Sequence, residues 1–498
     1  MSDSHSYGRA LRSTTLLGAT SALSYLVGLV RVKVIAVLLG PSGVGIASLY
    51  ISATGLISTI AGAGLPYSGV RSIAQAHGND DQEGVSRIST ALLRAAWCTG
   101  LVGLLFTVAA SPWLSQLLFV TDAHALAIAA AGGTVLIGSL NGARISLIQG
   151  VQRIGDIARI NVWTLFINTT LTIAVYAILG ERGIVPALLG TALVNLAVTS
   201  HYSKRVVLPH VDLNHAQTAA TIRMLASLGL ALMWSALLMA LLDVMIRTTV
   251  SRNLGVEAAG HYQAAWTLSG LFAGFVLNAT VADYYPRLSA AIGDYARAKT
   301  IINHQAEIGI LLSLPGLLGT LALAPYIMQI FYTREFQPGT VLLPWLMLGV
   351  MGRVISWPLS FVQLALGLSR VFFVTETLLA ALQVTLTLWL LPRQGLVGAA
   401  QAFAISYACY FMLMYLMARR YVEFRWSAES MRLLFATGAV VLTVFVAREL
   451  LTPPIYSLTV GAFTFLATWS SVRELVHRLG PEHRLSALVR RYLPWLLR

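Results

Sequence analysis

Fourteen apolar runs divide this chain, and polar or basic connections separate them. They fall near 14–39, 44–65, 90–111, 124–148, 161–180, 183–200, 224–246, 263–282, 306–331, 340–366, 371–392, 395–417, 433–447 and 455–472. Each approaches the ~20 residues that an α-helix needs to cross a bilayer. The pattern predicts an all-α polytopic membrane protein with fourteen transmembrane helices. Strand-like alternation plays no part in this reading. The first run is too long for a signal-peptide core, so it reads as a retained helix.

Composition agrees with the pattern. The chain has 498 residues, 57% hydrophobic and 11% charged, with a mean hydropathy of +0.73. A soluble domain carries about 25% charged residues. The two cysteines, Cys98 and Cys409, lie inside apolar runs and supply no disulfide framework or Cys/His metal site.

The net charge is +14, and its placement sets an orientation. Alternate connections hold Arg9 and Arg12, Arg71 and Arg87, Arg153 and Arg159, Lys204 and Arg205, Arg287, Arg297 and Lys299, Arg370, then Arg419, Arg420, Arg425 and Arg432. The tail adds Arg473, Arg478, Arg484, Arg490, Arg491 and Arg498. The opposite set holds Arg182, Arg252, Arg334, Arg393 and Arg448. The positive-inside rule places both termini in the cytoplasm, which requires an even helix number.

The chain also repeats itself. Leu39-Gly40 and Gly45 match Leu254-Gly255 and Gly260 at one constant offset, which also relates Gly78-Asn79 to Gly293-Asp294. The expected organisation is a six-helix lobe at 1–205, a cytoplasmic linker at 206–223 and a second six-helix lobe at 224–420. Two appended helices at 421–472 and a basic amphipathic cytoplasmic tail at 473–498 follow. Such repeats are frequent in transporters, whose substrate sites lie near mid-membrane. The linker contains His201, His210 and His215 in its neighbourhood, at no metal-ligand spacing.

Charges inside the apolar runs carry the functional signal, because charge at bilayer depth is costly and usually faces a bundle interior or wet cavity. Arg31 shares a helical face with Gly28, Ser24 and Thr20, a small and polar stripe. Lys33 lies nearly opposite, over Leu29, Leu26 and Ala22, where its stem can snorkel towards the surface. Arg247 follows Asp243 by four residues, so the two stack on one face. Either they form a structural pair, or Asp243 holds Arg247 until an anion displaces it. Arg353 lies five residues before Pro358, a residue that kinks or breaks a helix. Arg144 sits nearer a helix end and reaches towards headgroups.

Asp243, Asp283 and Glu376 are the candidate ion-coupling groups, since burial raises a carboxyl pKa. Pairing with a neighbouring arginine is the competing reading of each. Asn161 and Asn168 share one helical face, and Asn195 lies on the next helix. These amides either bind sugar hydroxyls or join helices. The sequence contains no Walker loop, HExxH or nucleophile elbow. Most of the buried charge is positive, which points to an anionic cargo.

The segment LLGPSGVGIASLYISATGLISTIAGAGLPYSGVRSIAQAHGND resembles the Wzx-type O-antigen and polysaccharide flippases. These belong to the multidrug/oligosaccharidyl-lipid/polysaccharide exporter superfamily. The features are a Leu-Gly-Pro turn, a Gly-x-Gly helix opening and an AGAG run before a Gly-Val-basic step. The resemblance implies two six-helix lobes around a cationic cavity. It implies an undecaprenyl-diphosphate-linked oligosaccharide as cargo, flipped to the outer leaflet of a bacterial inner membrane for O-antigen and lipopolysaccharide biosynthesis. Arg31 and Lys33 would line the cavity, joined by Arg247, Arg353 and Asn168, with Gly40-Pro41 as a hinge. Polysaccharide polymerase and chain-length machinery are the implied partners. No cofactor or metal is expected beyond H+ or Na+ as a coupling ion, and no nucleic acid. The appended helices depart from a twelve-helix core and are shared with lipid II flippases. A multidrug antiporter should carry unpaired cavity acids. A polytopic glycosyltransferase should carry a large outer loop, and the outer connections here are short.

Overall fold

The computed structural model describes the backbone of residues 2–209, 211–450 and 453–479. Side chains are described from residue 24 onward, except at 25, 26, 228, 230–232, 271–283, 448, 449, 453, 454, 457, 475 and 477–479. The fold is all-helical among the described residues, and each of the fourteen apolar runs falls on helix. Ten stretches among the described residues are long and apolar enough to cross a membrane. Residues 480–498 of the basic tail lie outside the described residues; residues 473–479 complete the last helix.

The chain divides into two compact units. Residues 1–260 and 331–333 form the first, and residues 261–330 and 334–498 the second. The first contains α1 (Ser2–Gly62), α2 (Leu65–Gly78), α3 (Gln82–Phe119), α4 (Ala125–Ala131), α5 (Gly133–Gly150), α6 (Ile154–Leu179), α7 (Ile184–Ser203) and α8 (His215–Leu254). Next comes α9 (Val256–Ala291), whose first residues belong here and the rest to the second unit. The second unit continues with α10 (Tyr295–Ala322), α11 (Ala324–Phe331), α12 (Leu343–Ala365), α13 (Ser369–Gln394), α14 (Leu396–Val422), α15 (Ala428–Leu450) and α16 (Pro453–Leu479).

Helix ends are set by local chemistry. Asp81 caps α3 by accepting from Gly84 N at 2.7 Å. Asn214 and Gln217 form a reciprocal capping box at the start of α8. That box starts α8 within the expected linker, leaving residues 206–214 as the connection. The connection is tied down by Ser86 donating to Pro209 O at 2.7 Å and by Arg94 donating to Leu213 O at 2.8 Å. α1 is kinked at Gly40, whose φ of 62° and ψ of −174° suit glycine alone. Gly255 repeats that conformation between α8 and α9 with φ 90° and ψ 166°. Pro358 does not break its helix: α12 runs from Leu343 to Ala365 through it.

In the first unit, α1 packs on α6 and α8, while α5 lies against α2, α3 and α7. In the second, α14 packs between α12 and α13. The appended pair, α15 and α16, joins the second unit by packing on α10. Val441, Val444, Tyr456 and Val460 interlock there with Leu314, Leu317 and Leu321. A buried polar knot fixes the start of α15. Glu307 of α10 accepts from the Ser430 hydroxyl, and Asn303 Oδ1 accepts from Ser427 N at 2.9 Å. Large exposed apolar side chains such as Val102, Leu126, Ile178 and Leu442 suit a lipid surround.

Candidate functional site

Arg31 lies nine residues before the Gly40 kink. At 1.5 Å per residue that is about 13 Å of helix. Its half-buried guanidinium donates from Nη2 to Thr172 Oγ1 on α6 at 3.3 Å. The Tyr176 hydroxyl, one turn further along α6, is near enough to interact with the charge. Among the described residues no carboxylate lies within ion-pair distance of Arg31. One turn before Thr172, Asn168 donates from Nδ2 to Asn195 Oδ1 on α7 at 2.8 Å. The Asn168 Oδ1 and Thr169 Oγ1 atoms are buried without hydrogen-bond partners. α6 thus presents Asn168, Thr172 and Tyr176 at helical spacing on the side that meets Arg31. Asn195 accepts from Asn168, so this amide pair joins α6 to α7. Asn161, nearer the start of α6, is exposed.

The other basic residues have different settings. Lys33, two residues on and rotated by about 200°, donates to the carbonyl of Tyr332 in the 331–333 segment. Arg247 is 7% exposed and is ion-paired with Asp243, one turn earlier on α8. Its helix is fastened nearby by Ser251, which donates to Leu118 O at 3.0 Å. Arg144 donates to Ser203 Oγ at 3.3 Å, inside the bundle.

The second unit carries its own polar cluster. Glu376 on α13 accepts from the Tyr410 hydroxyl on α14 at 2.6 Å. Arg353 on α12 interacts electrostatically with this carboxylate and with Tyr407. Gly352 brings the Tyr407 Cβ within 3.1 Å of where its own Cβ would stand, which explains the close approach of α14 to α12. Tyr284 donates to Pro358 O at 2.7 Å. The Asp283 side chain lies outside the described residues.

The structure therefore brings Arg31 together with Thr172, Tyr176 and, one turn away, Asn168. It pairs Arg247 with Asp243, and joins Glu376 to Tyr410. Tyr176, Tyr407 and Tyr410 are the members that sequence reasoning missed; a tyrosine in an apolar run gives no local signal of its partner. Among the described residues, no group of three or more His, Cys, Asp or Glu side chains is arranged to hold a metal. His201 bonds Arg205 at the end of α7, His215 opens α8, and His210 lies outside the described residues. Cys98 and Cys409 are free and exposed.

The family model for polysaccharide biosynthesis protein matches residues 10–292, more than half of the chain. The lipid III flippase of Escherichia coli (strain K12) is 24% identical over 427 residues, covering 81% of this chain and 97% of that protein. The lipid II flippase MurJ in an inward closed conformation superposes with a TM-score of 0.70 at 12% identity, covering 93% of this chain and 99% of the other. An inward-facing multidrug resistance MATE family transporter gives 0.66 at 16% identity, covering 82% and 98%. The helices and their order give this chain the fold of those two solved structures. With that fold, the chain belongs to the polysaccharide biosynthesis protein family.

Proposed function

We propose that this protein flips an undecaprenyl-diphosphate-linked oligosaccharide, an O-antigen-like repeat unit, from the cytoplasmic to the outer leaflet of a bacterial inner membrane. One observation carries the reading. Arg31 sits in an apolar helix against hydroxyl groups, with no carboxylate to neutralise it among the described residues. A guanidinium fork matches phosphate oxygens and makes charge-assisted hydrogen bonds with them. The relationship to a lipid III flippase over most of both chains supports a lipid-linked sugar as cargo.

In this mechanism the diphosphate enters on Arg31, and Thr172, Tyr176 and Asn168 offer hydroxyls and an amide to the first sugars. The charge of Arg247 becomes available when an anion competes with Asp243. Alternating access lets the head group leave outward while the polyprenyl tail stays in lipid. Two negative charges moving outward against an inside-negative potential gain ~4.6 kcal/mol per 100 mV. The membrane potential is thus a sufficient bias, and H+ or Na+ antiport is not required.

A lipid II-type cargo is the second reading. The lipid II flippase covers 93% of this chain, against 82% for the MATE transporter. With α10, the helices α15 and α16 line a largely apolar cavity of about 910 Å³. A cation antiporter is disfavoured, since the described acids Asp243 and Glu376 already face basic or phenolic partners.

Replacing Arg31 by Ala in the producing strain, with membrane protein levels followed by blotting, tests the assignment. Loss of surface polysaccharide at normal protein level is expected; normal surface polymer refutes it. If instead the depleted strain fails to build its cell wall, the lipid II-type reading replaces the first.

A further inference from the structure

The paired helices α6 and α7 end together at a site the flipping reaction does not use. Within the stretch Ile154–Ser203, only 11% of the most apolar window is buried inside the protein. At its basic end lies a cavity of about 500 Å³. Its polar wall is Arg205, whose guanidinium lies 4.6 Å above the Tyr202 ring. Arg205 also donates from Nη2 to His201 Nε2 at 2.9 Å. The imidazole nitrogen that accepts is unprotonated, so His201 leaves the arginine charge intact. Among the described residues no carboxylate is within ion-pair distance of Arg205. Asp156, at the same end of α6, is already bridged to Arg153 at 3.2 Å and Arg159 at 3.0 Å. Neither of these bridges involves Arg205.

The rest of the cavity is apolar. Trp163, 56% exposed, and Ile167 one turn on line it from α6. Ala197 and Val198 line it from α7. A cationic rim, an exposed tryptophan and an apolar groove along two apolar helices form one amphipathic surface.

We propose that this groove binds an anionic phospholipid, with Arg205 and His201 holding the phosphodiester and one acyl chain lying against Trp163 and Ile167. A soluble phosphate would satisfy the arginine but leave the apolar groove empty, so the occupant is a lipid. The site would tie the first unit to anionic lipid at the leaflet where basic residues gather.

The test uses full-length protein in nanodiscs of equal phosphatidylglycerol and phosphatidylcholine, with retained lipid counted by native mass spectrometry. Wild type should retain phosphatidylglycerol in preference, and Arg205→Gln should lose at least ~3-fold of that preference. Trp163→Ala should reduce retention of both lipids. Arg393→Gln removes the same charge from a guanidinium stacked 4.8 Å above Trp389, and should change nothing. An unaltered preference in Arg205→Gln, an equal loss in Arg393→Gln, or displacement by excess inorganic phosphate would overturn the proposal.

Discussion

Gly45 and Gly260 admit one another's turns reciprocally. A Cβ on Gly45 would stand 2.1 Å from the carbonyl oxygen of Val256, and one on Gly260 would stand 1.9 Å from that of Pro41. Pro41 and Val256 are themselves repeat equivalents, each following a glycine with positive φ. The contact therefore has the self-complementary form of a two-fold interface, in which i meets j and j meets i. The glycine spacing of the sequence repeat is explained by this contact.

Either glycine should consequently resist enlargement. Gly45→Ala and Gly260→Ala are each expected to cost at least the 1–3 kcal/mol typical of overpacking, read as a lower apparent Tm of detergent-solubilised protein. Gly55, with nothing within 4 Å of its notional Cβ, is the control, and Gly55→Ala should leave the Tm unchanged or slightly raised. Equal behaviour of all three variants would dismiss the reciprocal contact.

The Asp243–Arg247 pair predicts a non-additive result. Arg247 is buried and Asp243 half-buried, so removing the carboxylate withdraws a partner from a buried guanidinium. Asp243→Asn should lower the apparent Tm more than the double variant Asp243→Asn/Arg247→Met does. If the double variant is the less stable, the two residues do not act as a pair.

His124 supplies a pH dependence outside the membrane spans. Its Nδ1 lies 2.7 Å from the Tyr50 hydroxyl, and its ring stacks on Phe119 at 4.0 Å. Burial pushes its pKa down from the ordinary 6.5, opposed by the negative charge of Glu181. The unfolded chain then binds more protons than the fold as pH drops below about 6.5. Stability should fall across that window and level off below the lowered native value. His124→Gln should flatten the thermal-stability profile between about pH 7 and 5; an unchanged slope would locate the dependence elsewhere.

Voltage and proton gradients should separate cleanly. In proteoliposomes, an inside-negative potential should speed outward flipping, while a pH gradient at zero potential should not. Asp243→Asn, Asp283→Asn and Glu376→Gln should leave both responses as they are. A pH-gradient response abolished by any of the three would make that carboxyl a coupling group.

Much of this was legible in the chain. The apolar runs marked every long helix because backbone in lipid must satisfy its own hydrogen bonds. The glycine turns could be read because positive φ leaves few residue choices. The Asp243–Arg247 pairing was visible because helical neighbours four apart are fixed by local geometry. Partners on other helices were not. Thr172 meets Arg31 across 141 positions and Tyr410 meets Glu376 across 34, and no local periodicity encodes such a match. Pro358 does not end its helix: α12 continues through it and packs on α14.

The central claim is that Arg31 recognises the phosphate of the cargo. The most direct measurement compares purified protein binding to a polyprenyl-diphosphate glycan and to the same polyprenyl glycan without phosphate, for wild type and Arg31→Gln. The account predicts a strong preference for the diphosphate in wild type and at least a ~10-fold loss of that preference in the variant, about 1.4 kcal/mol. Equal preference in the two proteins would contradict it.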